Sequence, residues 1–162
     1  METYSVRVSK DYLVFCSAHF ITYDGATCER LHGHNYRVAA EIEAPLDTNH
    51  YVFDFIALKN IMRRITDELD HRVLLPTQSA LVHVDETGAQ VRARFEDREW
   101  TFPREDCVLL PIENTTAELL ARWIAARLCD LLASEKGFQP RRVGIEVEES
   151  FGQLATYEYE QG

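Results

Sequence analysis

The segment Cys28-Glu-Arg-Leu-His32-Gly-His34 carries the residue types best suited to chemistry in this sequence. Side chains alternate along a β-strand, so His32 and His34 would project from one face, with Gly33 between them. Two imidazoles at that spacing can share a metal ion, and His19 would add a third if its strand pairs antiparallel alongside. Three neutral imidazoles leave one position of Zn²⁺ open, which is typical of catalytic zinc. The spacing alone is equally compatible with hydrogen-bonded surface histidines.

Cys28 lies four residues before His32, in the loop that leads to this strand. A thiolate there would be stabilised by a nearby cation and could act as a base or a nucleophile. The neighbouring Asp24 and Arg30 make the loop polar, which favours an accessible thiol. The alternative is a buried and inert cysteine.

Asp70 and His71 end the first predicted helix. An aspartate beside a histidine can orient the ring and raise its basicity, which gives a unit for proton transfer. The alternative is a histidine that only terminates the helix, where the helix dipole favours it.

Glu149 falls on the same side of its predicted strand as the apolar Val143, Ile145 and Val147. A carboxylate on an apolar face requires a partner, and a guanidine-like pair of N–H groups on a ligand would serve. A break in register at the end of the strand is the other interpretation.

The elements that must position these residues follow from the hydrophobic periodicity. Apolar alternation predicts strands over residues 34–43 and 143–147, and residues 4–20 and 154–159 are also typical of strands. Asp54 would cap a first amphipathic helix, and Thr115-Thr116-Ala117-Glu118 fits a capping box that opens a second helix. This order predicts an α+β protein, a four-stranded antiparallel sheet with two helices on one face.

Residues 76–107 lie between the two predicted helices and contain three short β-like runs, at 81–84, 91–95 and 100–102. We interpret them as a small inserted β meander that is too short to bury a core of its own. The 162 residues therefore predict one domain over residues 1–162.

The composition excludes several classes of protein. The formal charge of −10 argues against general nucleic-acid binding, which requires clustered basic residues. No apolar run approaches the roughly 20 residues of a membrane helix, and the first residues do not resemble a signal peptide. The four cysteines form no Cys-x-x-Cys pair, so we expect free thiols in a cytoplasmic protein without membrane partners.

Several motifs occur in an order that is more specific than any one of them. They are Ser17-Ala-His19, Cys28-x-x-x-His32-Gly-His34, Asp54-Phe55, Leu69-Asp70-His71, Asn114-Thr-Thr-Ala-Glu118 and Glu149-Ser150, with Tyr157 eight residues after the glutamate. The chain resembles the 6-pyruvoyl tetrahydropterin synthase / 6-carboxytetrahydropterin synthase family, over nearly its whole length except residues 76–107.

The resemblance implies the tunnelling fold (T-fold), in which trimers close a β-barrel and stack in pairs as a homohexamer. It implies active sites at subunit boundaries, with Zn²⁺ held by His19, His32 and His34. The substrate class would be 7,8-dihydroneopterin triphosphate.

The resemblance also implies roles for the remaining candidates. Cys28 would be the catalytic thiolate, with Asp70 and His71 completing its proton-transfer set. Glu149 would anchor the amino-pyrimidine edge of the pterin, and Thr116 and Glu118 would add further pterin contacts, although the capping box also explains Glu118.

We expect the reaction that forms 6-carboxytetrahydropterin for 7-deazapurine (queuosine) synthesis, with release of acetaldehyde and triphosphate. The alternatives are 6-pyruvoyl tetrahydropterin formation, which eliminates triphosphate but keeps the carbon chain, and a non-catalytic paralogue that binds zinc or a pterin.

Overall fold

A computed structural model describes residues 2–161, and its centre is an antiparallel pair of long strands. The chain begins with β1 (Ser5–His19), a hairpin of β2 (Thr22–Tyr23) and β3 (Thr27–Cys28), and then β4 (His32–Glu43). The pairing of β1 with β4 places His19 opposite His32, and Ser17 opposite His34. The predicted antiparallel pairing of the first two long strands is therefore confirmed.

The alternation that predicted a half-buried β4 corresponds to the observed burial. Tyr36, Val38, Ala40 and Ile42 are buried on one face, where they form part of the main hydrophobic core. The two helices cover this face, so β1 and β4 direct one set of side chains towards the helices and the other set outwards.

The first helix, α1 (Phe55–Leu69), begins where the sequence predicts it. The Asp54 carboxylate caps it by accepting a hydrogen bond of 2.7 Å from the Ile56 N–H. Leu58, Ile61 and Ile65 lie on its buried face and pack into the main core.

Within the described residues, seven further strands and a second helix follow α1. They are β5 (Arg72–Pro76), β6 (His83–Thr87), β7 (Gln90–Phe95), β8 (Arg98–Pro103), β9 (Cys107–Leu110), α2 (Ala117–Lys136), β10 (Arg142–Ser150) and β11 (Gln153–Glu160), with a single 3-10 turn at Arg104–Asp106. Helix α2 ends at Gly137, whose φ of 59° is in the left-handed region that glycine adopts without strain.

The capping box predicted for α2 is wrong in its register. The N-cap is Thr116, whose hydroxyl accepts from the Leu119 N–H, and the Thr115 hydroxyl instead donates to the Phe20 carbonyl. Glu118 thus occupies the second helical position, where it cannot complete a capping box. The cap therefore does not explain Glu118, whose side chain is exposed.

The prediction of a four-stranded antiparallel sheet is also wrong. The main sheet has six strands in the order β11-β10-β4-β1-β5-β9, and β5 and β9 join it in parallel, which makes it a mixed sheet. These two strands are short and continuously apolar at Val73–Leu75 and Val108–Leu110, so they lack the alternation from which strands were predicted. The α+β class and the two helices are confirmed.

The inserted meander forms a three-stranded sheet in the order β6-β7-β8. Its apolar face does not close on itself. Val91, Ala93 and Phe95 pack into a second cluster together with Phe20 and Leu75 of the main body. The insert is thus attached directly beside the residue that follows His19.

Neither helix within residues 2–161 is long and apolar enough to cross a membrane.

Candidate active site

Three histidine side chains converge on the helix-facing side of the β1–β4 pair. The ligand nitrogens of His19, His32 and His34 all lie within 4.8 Å of one another, and their ring centroids are 4.8–5.3 Å apart. His19 is buried and the other two are half-buried. The strand alternation and the antiparallel register together produce this cluster, as the sequence predicts.

Hydrogen bonds to backbone carbonyls orient two of the rings. His19 Nδ1 lies 2.8 Å from the Thr115 carbonyl oxygen, and His32 Nδ1 lies 2.7 Å from that of Arg30. A metal-binding histidine usually donates its other N–H in this way, which leaves Nε2 as the ligand atom.

The cluster fits a divalent metal such as Zn²⁺. His34 Nε2 is buried and has no hydrogen-bond partner within residues 2–161, as expected of a nitrogen whose partner is an ion. Burial lowers the pKa of His19 to about 4, so its imidazole is neutral at pH 7 and can coordinate.

Tyr36 belongs to this site, although the sequence analysis did not single it out. Its hydroxyl lies 3.1 Å from His19 Nε2. Burial raises the pKa of Tyr36, followed by the effect of the nearby carboxylates of Glu149 and Glu29, so the hydroxyl stays protonated. The sequence contained the information needed to include Tyr36. Tyr36 follows His34 by two residues on the same strand, so the two side chains share a face.

Glu149 faces the cluster from β10. Its Oε1 lies 3.5 Å from His34 Nε2, on the same face as the buried Val147. The side chain is 30% exposed, so the carboxylate borders the histidines and also reaches solvent.

Glu149 also lines an open cavity of about 330 Å³ together with Thr116 and Glu118. Ile21 and Leu154 supply apolar walls. The structure thus brings the three residues with suggested pterin contacts to one cavity beside the histidine cluster.

Cys28 is half-buried, and the polar, accessible environment expected for it is only partly present. Its Sγ lies 3.5 Å from the Glu29 carbonyl oxygen, and its side chain packs against the second apolar cluster. Burial raises the pKa of Cys28, and the opposing effect of the Arg98 guanidinium is smaller. The loop composition could not show that the meander covers one side of the thiol.

Glu29 is a second residue that the sequence analysis passed over. Its Oε2 accepts from the Ile21 N–H at 3.2 Å and lies 3.8 Å from His32 Nε2. A carboxylate is therefore held at the edge of the histidine cluster, directly after Cys28 in the chain.

Asp70 Oδ2 and His71 Nδ1 are hydrogen-bonded at 2.8 Å, as predicted for an aspartate that orients the ring, but the structure does not bring the pair to the histidine cluster. Asp70 Oδ1 accepts from the Cys16 N–H, and His71 lines a shallow depression with Ala18 and Gly33. Ala18 alternates with Ser17 and His19 along β1, so this depression lies on the opposite face of the sheet.

Comparison with known proteins is consistent with this geometry. The family model described as 6-pyruvoyl tetrahydropterin synthase matches residues 7–160. The chain belongs to the 6-pyruvoyl tetrahydropterin synthase family.

Two relatives carry the name 6-carboxy-5,6,7,8-tetrahydropterin synthase. A provisionally named 6-carboxy-5,6,7,8-tetrahydropterin synthase of Methanocaldococcus jannaschii is 34% identical over 146 residues, 90% of this chain and 89% of that protein. The 6-carboxy-5,6,7,8-tetrahydropterin synthase of Haemophilus influenzae is 30% identical over 128 residues, 75% of this chain and 81% of its own length.

Among solved structures, 6-pyruvoyl tetrahydropterin synthase of Plasmodium vivax superposes with a TM-score of 0.89 and 30% identity, over 99% of this chain and 100% of the other. Two variants of that enzyme, with the same TM-score, identity and coverage, replace a glutamate described as a catalytic residue, one by alanine and one by cysteine. The family therefore includes a member in which a glutamate is described as catalytic.

Proposed function

We propose that the protein is a zinc-dependent 6-carboxy-5,6,7,8-tetrahydropterin synthase, which converts 7,8-dihydroneopterin triphosphate to 6-carboxytetrahydropterin for 7-deazapurine (queuosine) synthesis. The observation that carries the proposal is the cluster of His19, His32 and His34 bordered by Glu149 at an open cavity. The names of the archaeal and Haemophilus relatives support the carboxy-forming reaction over others of the family.

The histidine cluster would hold Zn²⁺ through the three nitrogens that converge there. When bound, Zn²⁺ supplies Lewis-acid polarisation of the substrate's side-chain oxygens, which makes the adjacent C–H groups more acidic. Thr115 and Arg30 fix the rings through their carbonyls, so the ligand set is pre-organised before metal arrives.

Glu149 would bind the pterin. Its carboxylate can accept two parallel N–H bonds from the 2-amino-pyrimidine edge, and it borders both the histidines and the cavity. Thr116 and Glu118 line the same cavity and would add polar contacts to the ring. The pterin would thus lie with its side chain directed towards the metal ligands.

Cys28 would move the proton as the general base. Asp70 and His71 would complete the set, with Asp70 holding the ring by the bond at His71 Nδ1. Because this dyad lies on the opposite face of the sheet from the histidine cluster, it would serve the site of a neighbouring copy. That arrangement supports active sites at subunit boundaries in a homohexamer.

Glu29 is a second candidate for the base. Its carboxylate lies beside His32, and a glutamate is described as catalytic in the Plasmodium vivax relative. Burial raises the pKa of the Cys28 thiol and so disfavours the thiolate, which is an argument for the carboxylate as the base.

Product analysis with 7,8-dihydroneopterin triphosphate tests the proposal. Acetaldehyde, triphosphate and 6-carboxytetrahydropterin should appear at equal rates, measured by a coupled aldehyde assay and by mass spectrometry. Triphosphate without acetaldehyde would identify a 6-pyruvoyl tetrahydropterin synthase instead. Tight pterin and zinc binding without either product would identify a non-catalytic paralogue.

A further inference from the structure

Arg98 on β8 of the meander reaches the loop that carries the two candidate bases. Its Nη1 donates to the Cys28 carbonyl at 2.9 Å, and its Nη2 donates to the Glu29 carbonyl at 3.1 Å. One guanidinium therefore holds two successive peptide carbonyls. The planar fork of arginine suits this geometry, whereas the single ammonium of lysine does not.

Arg98 is itself held in place by aromatic stacking. Its guanidinium carbon lies 4.7 Å from the centroid of the Trp100 ring, and that ring stacks on Phe20 at 4.3 Å. Phe20 directly follows His19 of the histidine cluster. The meander thus connects the loop of Cys28 and Glu29 to the strand that bears one corner of the histidine cluster.

The position of Arg98 in its strand is unusual for a charged residue. It alternates with Trp100 and Phe102, and all three are half-buried, while the residues between them are exposed. A guanidinium on the inward face is favourable only where it has acceptors, and the two loop carbonyls provide them.

We propose that the inserted meander is a positioning element for the active site, in which Arg98 fixes the Cys28–Glu29 loop against β1. The proposal rests on the proposed function only in treating Cys28 and Glu29 as the candidate bases. Arg98 does not contact the reacting atoms and acts through the backbone of these two residues. Displacement of a base by about 1 Å can reduce a rate by on the order of 10²-fold.

Two substitutions test this role, with a matched control. Arg98→Gln removes the guanidinium that donates to both carbonyls. Arg98→Lys keeps the positive charge, but its single ammonium cannot hold both carbonyls in one plane. The control is Arg92→Gln on the adjacent strand, because the Arg92 guanidinium pairs with Glu99 on the exposed face of the same meander.

We expect Arg98→Gln to lower kcat by on the order of 10–100-fold, while KM changes by less than about threefold. Arg98→Lys should show a smaller loss of kcat, and Arg92→Gln should retain the wild-type value. The concentration of pterin-binding sites is titrated by pterin fluorescence, zinc content is measured alongside, and kcat is expressed per binding site. Unfolded chains are then not counted as sites, so partial unfolding cannot produce this pattern. Wild-type kcat in both Arg98 variants would overturn the proposal.

Amide hydrogen exchange provides a readout that does not require activity. In Arg98→Gln, and to a smaller degree in Arg98→Lys, the amides of residues 27–31 should exchange on the order of tenfold faster than in wild type. Arg92→Gln should leave them unchanged. If the wild-type protein forms no pterin product, the proposed function fails. Faster exchange in the Arg98 variants would still support the positioning role of Arg98. Unchanged exchange in both Arg98 variants would overturn it.

Discussion

His19 lies directly opposite His32 across the β1–β4 pairing, with 4.9 Å between the centroids of the two rings. A shift of one residue in this register would turn one of the two imidazoles to the other face of the sheet. The histidine cluster therefore depends on the exact strand pairing as well as on the residue types.

Replacement of both His32 and His34 by alanine should abolish metal binding and leave a folded chain. The wild-type protein should carry about one Zn²⁺ per chain, since three imidazoles form an open catalytic-type site. Elemental analysis measures the zinc, and far-UV circular dichroism checks the fold. The exposed His83 on β6 provides a control, as His83→Ala should keep its zinc. Full zinc content in the double variant would contradict the assignment.

Gly33→Ala should weaken metal binding without changing any ligand. A Cβ at Gly33 would lie 3.2 Å from the backbone carbonyl oxygen of Ser17, and a backbone atom cannot move away as a flexible side chain can. The strands must separate slightly, which should lower the free energy of unfolding by about 1–3 kcal/mol and raise the Kd for zinc. Thermal denaturation and a zinc titration measure the two effects.

Gly144→Ala is the matched control, because a Cβ there would be 3.8 Å from its nearest neighbour. It should change neither quantity beyond the range usual for a tolerated substitution. If both substitutions changed the stability and the Kd for zinc equally, the close approach of a Cβ at Gly33 to the Ser17 carbonyl would not be the cause.

Cys28→Ala and Glu149→Ala should separate catalysis from binding. Loss of a positioned base should reduce kcat by on the order of 10²–10⁴-fold, with a modest change in pterin affinity. Loss of Glu149 should weaken pterin binding by on the order of 10–100-fold, since the pterin N–H groups lose a charged acceptor. Steady-state kinetics and fluorescence titration distinguish the two.

Glu29→Gln completes this comparison. Full activity in Cys28→Ala together with a large loss in Glu29→Gln would assign the base to the carboxylate. Full activity in both variants would remove this loop from the mechanism.

Asp70 should stabilise the fold in a pH-dependent way. Burial opposes ionisation, but hydrogen bonds from the Cys16 N–H and the His71 ring outweigh it and lower the pKa of Asp70. A carboxyl with a lowered folded-state pKa contributes stability above its unfolded-state value of about 3.9, and this contribution is lost as the pH falls through the folded-state pKa.

Urea denaturation from pH 7 to pH 3 checks this. Asp70→Asn should have a lower midpoint than wild type at pH 7, and the difference should shrink below about pH 4. Asp67→Asn, on the exposed face of α1, controls for removal of one negative charge. A difference that stays constant with pH would argue against ionised Asp70 as its source.

Mixing two inactive variants tests whether the dyad serves a neighbouring copy. In oligomers reassembled from equal amounts of Cys28→Ala and His71→Ala chains, about a quarter of the sites should combine both intact residues. Activity should therefore return to about a quarter of wild type, measured by triphosphate release. Light scattering should show a closed oligomer. No recovery in the mixture would show that Cys28 and His71 of the same chain act together, and full activity of His71→Ala alone would place the dyad outside the site.

The sequence by itself determined which side chains of the candidate site share a strand face. Alternation in His32-Gly-His34 and the apolar face of β4 depend only on neighbouring residues, so local pattern predicted which side chains share a face. The end of α1 at Asp70 followed from the same kind of local information. The direction of Glu149 did not, because the β10–β11 register shifts between Glu148 and Ser150, and only the structure places its carboxylate beside His34.

Only the tertiary structure decided which distant elements meet. The short β5 and β9 have no alternation of apolar and polar residues. Their addition to the sheet depends on burial between neighbouring elements, and the sequence does not show which elements these are. The hydrogen bonds of Arg98 to the Cys28 and Glu29 carbonyls join residues that are 70 and 69 positions apart in the sequence. His71 likewise lies beside Ala18, on the face of β1 opposite to that of His19. Such contacts are fixed by the packing of whole elements, because each residue carries no local signal of the partner that it will reach.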